Sequence, residues 1–429
     1  MLKKNLFSYL IQFLIIILPF YVILAVWFTT QLWIANAGIY IKELIIVLLF
    51  FSLLYEFIKN KKLPKFEIID YLIFSYIAYG VWITISNWLW INSIIYWWRY
   101  DFIFFIVFLI IKHWKQFIQF PLNKLIKTFI ISWIFSIFIS IFIKFRLWED
   151  FLLMFGFTEY QSNWTYSWSI PNYHWLENSW IKRFQWIFDW PNQMAFFIIL
   201  YASVFLQSIK KKFEYHIILF LAILFSLVII TYSRSALLGI FSWIWLVVLL
   251  NIKYIYKKYK KVFLAWIIIL SISIAWIFVW FNENLHNIIL RSSSTTGHFD
   301  RMEIWYNRFI TKPMWSWLAE AGPAYRNIYP DKQNKDAEKY YIPESWFIQQ
   351  LIEWGFIYFS IFLLIFINIL FNLYKNSKTL FIWLIAILVM NVFLHIFEAT
   401  YLSILLFIFV WLFYKKISPY SLRSSPHRQ

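Results

Sequence analysis

Apolar runs recur along the whole chain, broken by short polar junctions. The run "LIQFLIIILPFYVILAVWF" from Leu10 is representative. About twenty such residues make one membrane-spanning helix. The pattern predicts an all-α integral membrane protein of about twelve transmembrane helices. They fall near 9–28, 40–58, 69–87, 99–112, 125–144, 192–209, 215–232, 234–251, 262–281, 346–372, 379–397 and 399–414. The first run is longer than a signal-peptide core and has no small-residue cleavage site, so it reads as a retained helix.

The polar junctions alternate in charge. Lys3 and Lys4 precede the first span, and "KNKKLPK" follows the second. Lys112, Lys115, Lys124 and Lys127 separate the fourth and fifth; "KKK" at 210–212 follows the sixth. "KYIYKKYKK" follows the eighth, Lys375 and Lys378 the tenth, and "KK" at 415–416 the twelfth. Every second junction is thus basic. The positive-inside rule then places both termini in the cytoplasm and two long segments, 145–191 and 282–345, on the outer side. The expected organisation is N-terminal helices over 1–90, a transmembrane core over 91–281, and a large helical extracytoplasmic loop over 282–345. C-terminal helices over 346–416 and a cytoplasmic tail over 417–429 complete it. The formal charge of +18 therefore reads as a topology signal facing anionic membrane lipids, not a nucleic-acid surface. The chain has no cysteine, which excludes disulfides, thiol chemistry and Cys-ligated metal.

Within this frame "TYSRSALLGIF" at 231–241 stands out. An arginine at a helix centre costs about 2.5–3.5 kcal/mol even on a lenient insertion scale. The alternation puts Arg234 at the outer end of the hairpin between the seventh and eighth spans. There a water-filled cleft or snorkelling lowers its cost. It reads either as an interfacial anchor or as an anion site at the outer face.

Composition adds a second anomaly. The chain has 28 tryptophans and 7 glycines, where average usage of about 7% glycine would give roughly 30. Tryptophans stand at turn-like places in polar loops, as in "KPMWSWLAEAGP" and "NSWIKRFQWIFDWPNQ". An interfacial aromatic belt explains neither fact. The expectation is that many of these codons are UGA, which some bacterial lineages read as glycine.

With that substitution four motifs resemble the O-antigen ligase and polymerase family, membrane glycosyltransferases of the GT-C type. "TYSRSALLGIF" is similar to the family's Ser-Arg-Ser-Ala helix start as it stands. "RFQWIFDWPNQMAFF" resembles its Arg-x-x-Gly-x-Phe-x-x-Pro-Asn segment with Trp186 as glycine. "GHFDRMEIWYNRFITKPMWSW" resembles its Arg-x-x-x-Trp helix and Pro-x-x-Gly-x-Gly turn, with Trp315 and Trp317 as glycine and Trp305 a true tryptophan. "PESWFIQQLIEWGFI" resembles the segment entering the next helix. The similarity runs over roughly residues 90–410. The chain departs from the family in carrying Glu344-Ser345 where family ligases usually have His-Asn.

The resemblance implies a glycan donor on undecaprenyl diphosphate and an acceptor sugar hydroxyl, on a lipid anchor or another glycan. Ligation, polymerisation and transfer to a protein all stay open. The protein must hold the diphosphate, neutralise its developing charge and present the hydroxyl in line. Arg234, flanked by Ser233 and Ser235, suits the diphosphate because a guanidinium binds phosphate bidentately. Arg301 and Glu344 are the catalytic candidates: Arg301 to contact diphosphate or glycan, or else to pair with an acidic neighbour, and Glu344 to orient or deprotonate the acceptor hydroxyl. Arg99 and Asn192 are further substrate-binding candidates. Arg99 with Asp101 could equally cap the interface, and Asp189, Pro191 and Asn192 suit a helix start. His395 and Glu398 share a face at i,i+3 spacing. No Asp-rich motif appears, and the expected reaction needs neither metal nor cofactor. The competing class is a multi-helix transporter or lipid-linked glycan flippase, usually built as repeated halves; no repeat is visible here. The expected location is a bacterial cytoplasmic membrane.

Overall fold

A computed structural model describes residues 2–31, 37–61, 63–86, 98–114, 116, 122–142, 150–158, 174–175, 182–185, 187–188, 190–208, 223–247, 249–250, 292–311 and 345–414. The described residues are overwhelmingly helical. The chain runs through α1 (Leu2–Ile17) and a 3-10 turn at Leu18–Phe20 into α2 (Tyr21–Thr30). Pro19 stands in the first turn of that break, where its missing N–H costs least. Then follow α3 (Ala37–Asn60), α4 (Ile68–Ser86), a π-helical turn (Trp98–Phe102), α5 (Ile103–Trp114), α6 (Leu122–Phe142) and α7 (Asp150–Met154). Two two-residue strands, β1 (His174–Trp175) and β2 (Lys182–Arg183), pair antiparallel, His174 opposite Arg183. After them come α8 (Pro191–Ser208), α9 (223–229), α10 (Arg234–Val247) and α11 (Ser292–Thr311). The chain closes with α12 (Trp346–Asn376), α13 (Lys378–Asn391), a 3-10 turn (Ile396–Glu398) and α14 (Thr400–Tyr414).

Among the described residues, four helical stretches are long and apolar enough to cross a membrane: Leu6–Thr30, Ile68–Ser86, Leu122–Ser140 and Trp346–Asn376. Arg234–Val247, Lys378–Asn391 and Thr400–Tyr414 are shorter apolar helices. The span predicted at 262–281 lies outside the described residues. Helix α9 ends in a turn before residue 232, and α13 stops at Asn391 rather than running to 397. The cause of the second stop is local. The Asn391 side chain accepts from the backbone N–H of Ile396 at 3.1 Å and of Phe397 at 3.3 Å. It offers the backbone an alternative to the next helical turn. His395 and Glu398 therefore lie on the turn after α13, not on its face.

Helices α5 and α14 and the first part of α8 are apolar and buried almost all round, as expected of central helices. Around them α3, α6, α10 and α12 expose large apolar side chains outward, among them Phe51, Ile131, Phe138, Phe241 and Ile367. In water such a surface would be a liability; in lipid it is the matching face. Helix α12 packs on α4, α13 and α14, and α11 on α12. Gly355 has φ 76° inside α12 and kinks it, a conformation that glycine adopts freely.

Side-chain hydrogen bonds and ion pairs gather at the two ends of the bundle. At one end, where α4 begins and α5 stops, Asp70 meets Lys112 and, at 3.1 Å, His113. There too Ser377 donates to Gln207 at 2.9 Å, and Asn376 to the Tyr414 carbonyl at 2.6 Å. The other end, where α8 and α12 begin, holds the candidate site.

Candidate functional site

Arg183 organises that end. It closes β2, and its side chain reaches back to the turn after α9. Nε donates to the Thr231 carbonyl at 3.0 Å, and Nη2 donates to the Tyr232 carbonyl at 3.5 Å and to Oδ1 of Asn192 at 3.1 Å. The Phe184 N–H adds a bond to the Ile230 carbonyl at 3.2 Å. Carbonyls at a helix end lack intrahelical donors, and a guanidinium fork supplies several at once. The segment "RFQWIFDWPN" is thereby fastened to "TYSRSA", two motifs distant in sequence. Asn192 is held by this bond at the start of α8, a positioning role.

The turn itself is constrained. Tyr232 has φ 51°, in the left-handed region that usually takes glycine at a helix end. Ser233 then caps α10: its Oγ accepts from the Ala236 N–H at 3.3 Å and lies 3.2 Å from Oγ of Ser235. Both serines are buried, while Arg234 is partly exposed. Arg234 is the first residue of α10, so its charge and the positive end of the helix dipole stand together. Helix N-termini with a nearby cation receive anions readily. Gly239 lets α10 approach α13: a Cβ there would lie 2.7 Å from Cγ of Met390.

A second cationic group connects to the start of α8 through Tyr21, Tyr401 and Gln193. Arg99 pairs with Glu43 at 2.9 Å and donates to the Tyr21 hydroxyl at 3.1 Å. Lys42, fully buried, pairs with the same carboxylate at 2.7 Å and donates to the same hydroxyl at 2.6 Å. Tyr21 stacks on Tyr401, whose hydroxyl bonds Gln193, the neighbour of Asn192. Asp101, two residues beyond Arg99, accepts from Gln350 of α12 at 2.7 Å, and Tyr76 donates to the same amide at 3.2 Å.

The other two motifs also meet. Trp305 of α11 is buried against Ile352 of α12, with Phe309 and Ile348 around them. The backbone of Arg301 lies in α11, one turn before Trp305. Ser345 caps α12 by accepting from the Ile348 N–H, and the Trp346 N–H donates to the Leu394 carbonyl at 3.3 Å. Glu344 itself lies outside the described residues, immediately before that cap.

Residues 218–363 match the model of the O-antigen ligase family. This bears out the resemblance read from the motifs. The O-antigen ligase match takes in the Ser-Arg-Ser turn, α10, α11 and the first half of α12, and so includes Arg234, Arg301 and Glu344. No curated protein and no solved structure matches the chain.

Arg183 was not among the residues expected at the site, although it opens the segment "RFQWIFDWPN". Neither were Lys42, Glu43 and Gln350. The signal for Arg183 was its place in the motif; the pairing of Glu43 with Arg99 and of Gln350 with Asp101 carries no local signal.

Proposed function

We propose that this protein transfers a glycan from an undecaprenyl-diphosphate-linked donor to a sugar hydroxyl at the outer face of a bacterial cytoplasmic membrane. The observation that carries the reading is the gathering of the O-antigen ligase motifs at one end of the helix bundle. Arg183 fastens one pair of motifs there and Trp305 the other. The proposal includes a chain of about twelve spans with both termini cytoplasmic.

The reaction forms a bond between the acceptor oxygen and the anomeric carbon of the donor. The bond from that carbon to the diphosphate breaks, and the electron pair leaves with the diphosphate. Arg234 holds the diphosphate at the start of α10, with Ser233 and Ser235 fixing the turn. Arg301 contacts the donor from α11. Glu344, just ahead of α12, orients the acceptor hydroxyl. Preorganised cations at the leaving group act where charge develops, which is where electrostatic stabilisation is most effective.

The test is transfer by the purified chain in proteoliposomes from a lipid-diphosphate-linked glycan to an added acceptor. Product that requires both donor and acceptor supports the reading. Movement of intact lipid-linked donor across the bilayer, with no new glycosidic bond, would replace it with a flippase.

A further inference from the structure

The turn after α13 is the meeting point of the candidate site, and the proposed reaction gives it no role. The 3-10 turn Ile396–Glu398 packs on the π-helical turn carrying Arg99 and Asp101, on α8, on α13 and on α14. Asn391 pins it through the Ile396 and Phe397 N–H groups, and the Asn391 amide is itself fixed to the Ile387 carbonyl at 3.0 Å. The residue before His395, Leu394, accepts from the Trp346 N–H through its carbonyl, so His395 stands beside the start of α12. Such anchoring suits a side chain whose place matters.

His395 itself is unusual. Neither ring nitrogen makes a hydrogen bond. Nδ1 lies 3.6 Å from Oε1 of Glu398, too long for one, and the side chain is 13% exposed. An unpaired buried polar group costs about 1–3 kcal/mol, and native structures rarely keep one without a use. A half-turn of the imidazole exchanges each nitrogen with a ring carbon, so a nitrogen can take a carbon's place while the turn stays put.

We infer that His395, backed by Glu398, takes the proton of the acceptor hydroxyl. The inference rests on the transfer reading. As the acceptor oxygen bonds the anomeric carbon and the diphosphate departs with its electron pair, the hydroxyl proton passes to the imidazole. Glu398 balances the imidazolium so formed. Release of the proton to water restores the neutral ring. The ionisable groups on the elements packed against the turn are Arg99, Tyr100 and Asp101 of the π-helical turn, Tyr401 and Tyr414 of α14, Tyr201 of α8, Glu353, Tyr358, Tyr374 and Lys375 of α12 and, at the far ends of their helices, Lys378 of α13 and Lys112 and His113 of α5.

The experiment compares wild type, His395→Gln and Glu398→Gln in proteoliposomes, with donor binding measured separately. Glutamine keeps polarity and approximate size but does not titrate. A positioned base contributes typically 10²–10⁴-fold, so His395→Gln is expected to lower kcat at least about a hundredfold with donor binding intact. It should also remove the acidic limb of the pH–rate profile. Glu398→Gln is expected to lower kcat less and to leave a limb in place. If wild type transfers and His395→Gln transfers at a similar rate, or falls with the pH profile unchanged, His395 is not the base and the transfer reading stands. If wild type forms no glycosidic bond, both fall together.

Discussion

The guanidinium of Arg183 donates to the side-chain oxygen of Asn192 at 3.1 Å while its Nε holds the Thr231 carbonyl at 3.0 Å. One side chain thus joins the start of α8 to the turn that presents Arg234. Arg183→Ala leaves those acceptors unpaired. Hydrogen bonds to a charged group contribute about 1.5–3 kcal/mol, so the variant should unfold measurably earlier in detergent. Arg183→Lys should recover only part of the loss, because an ammonium lacks the fork. Thermal unfolding of the three proteins checks this; equal stability of Arg183→Ala and wild type would contradict the clasp.

His174 should make the loop beside this clasp acid-sensitive. Burial pushes its imidazole down to about 4 from an ordinary 6.5; the hydrogen bond to Gln185 opposes this and the nearby Arg183 charge reinforces it. The folded value lies below the unfolded one. The stability His174 contributes is therefore full above about 6.5 and is lost as pH falls through about 4, with no further loss below. Unfolding followed from pH 7 to pH 4 should show this component in wild type. It should be missing in His174→Gln.

Much of the helical framework is legible in the sequence because lipid demands it. The apolar run at 346–372 becomes α12 and the run at 399–414 becomes α14 almost residue for residue. In a bilayer an apolar run must satisfy its backbone internally, and a helix does so. The end of α13 was not legible, since it depends on the Asn391 side chain folding back on its own backbone. Nor was the kink at Gly355, which apolar patterning does not register. In the site, Arg234 was visible because a cation among apolar residues needs a reason. Arg183 hid in a loop where an arginine needs none, and the Gln350–Asp101 bond exists only once α12 and the π-helical turn come together.

The tryptophan excess leads to a covalent prediction. Trp346 is fully buried with its indole N–H unpaired, its ring edge-on to Phe362 and Phe397 at 4.9 Å. The native protein is expected to carry glycine at positions 186, 190, 315, 317 and 346, encoded by UGA, and tryptophan at 305, where the ring packs on Ile352. Sequencing the gene and mass spectrometry of peptides from the source cells check this. UGG codons at the five positions would contradict it.

Orientation can be read with thiols, because the chain has no cysteine of its own. A cysteine at Asn334, in the long segment before α12, should react with a membrane-impermeant reagent in intact cells. One at Asn376, at the opposite end of α12, should react only after permeabilisation. The reverse pattern would turn the protein over and place the site on the wrong side for an outer-leaflet donor.

In the proposed reaction Arg234 serves a diphosphate at the membrane face. An interfacial anchor would accept lysine, which snorkels equally well; a bidentate phosphate site would not. The most direct measurement is glycan transfer from a lipid-diphosphate donor in proteoliposomes by wild type, Arg234→Lys and Arg234→Ala, at matched protein levels. Loss of one charge-assisted hydrogen bond, about 1.5–3 kcal/mol, predicts a drop of roughly tenfold to a hundredfold for Arg234→Lys, and a larger one for Arg234→Ala. Transfer by Arg234→Lys at the wild-type rate would contradict the account.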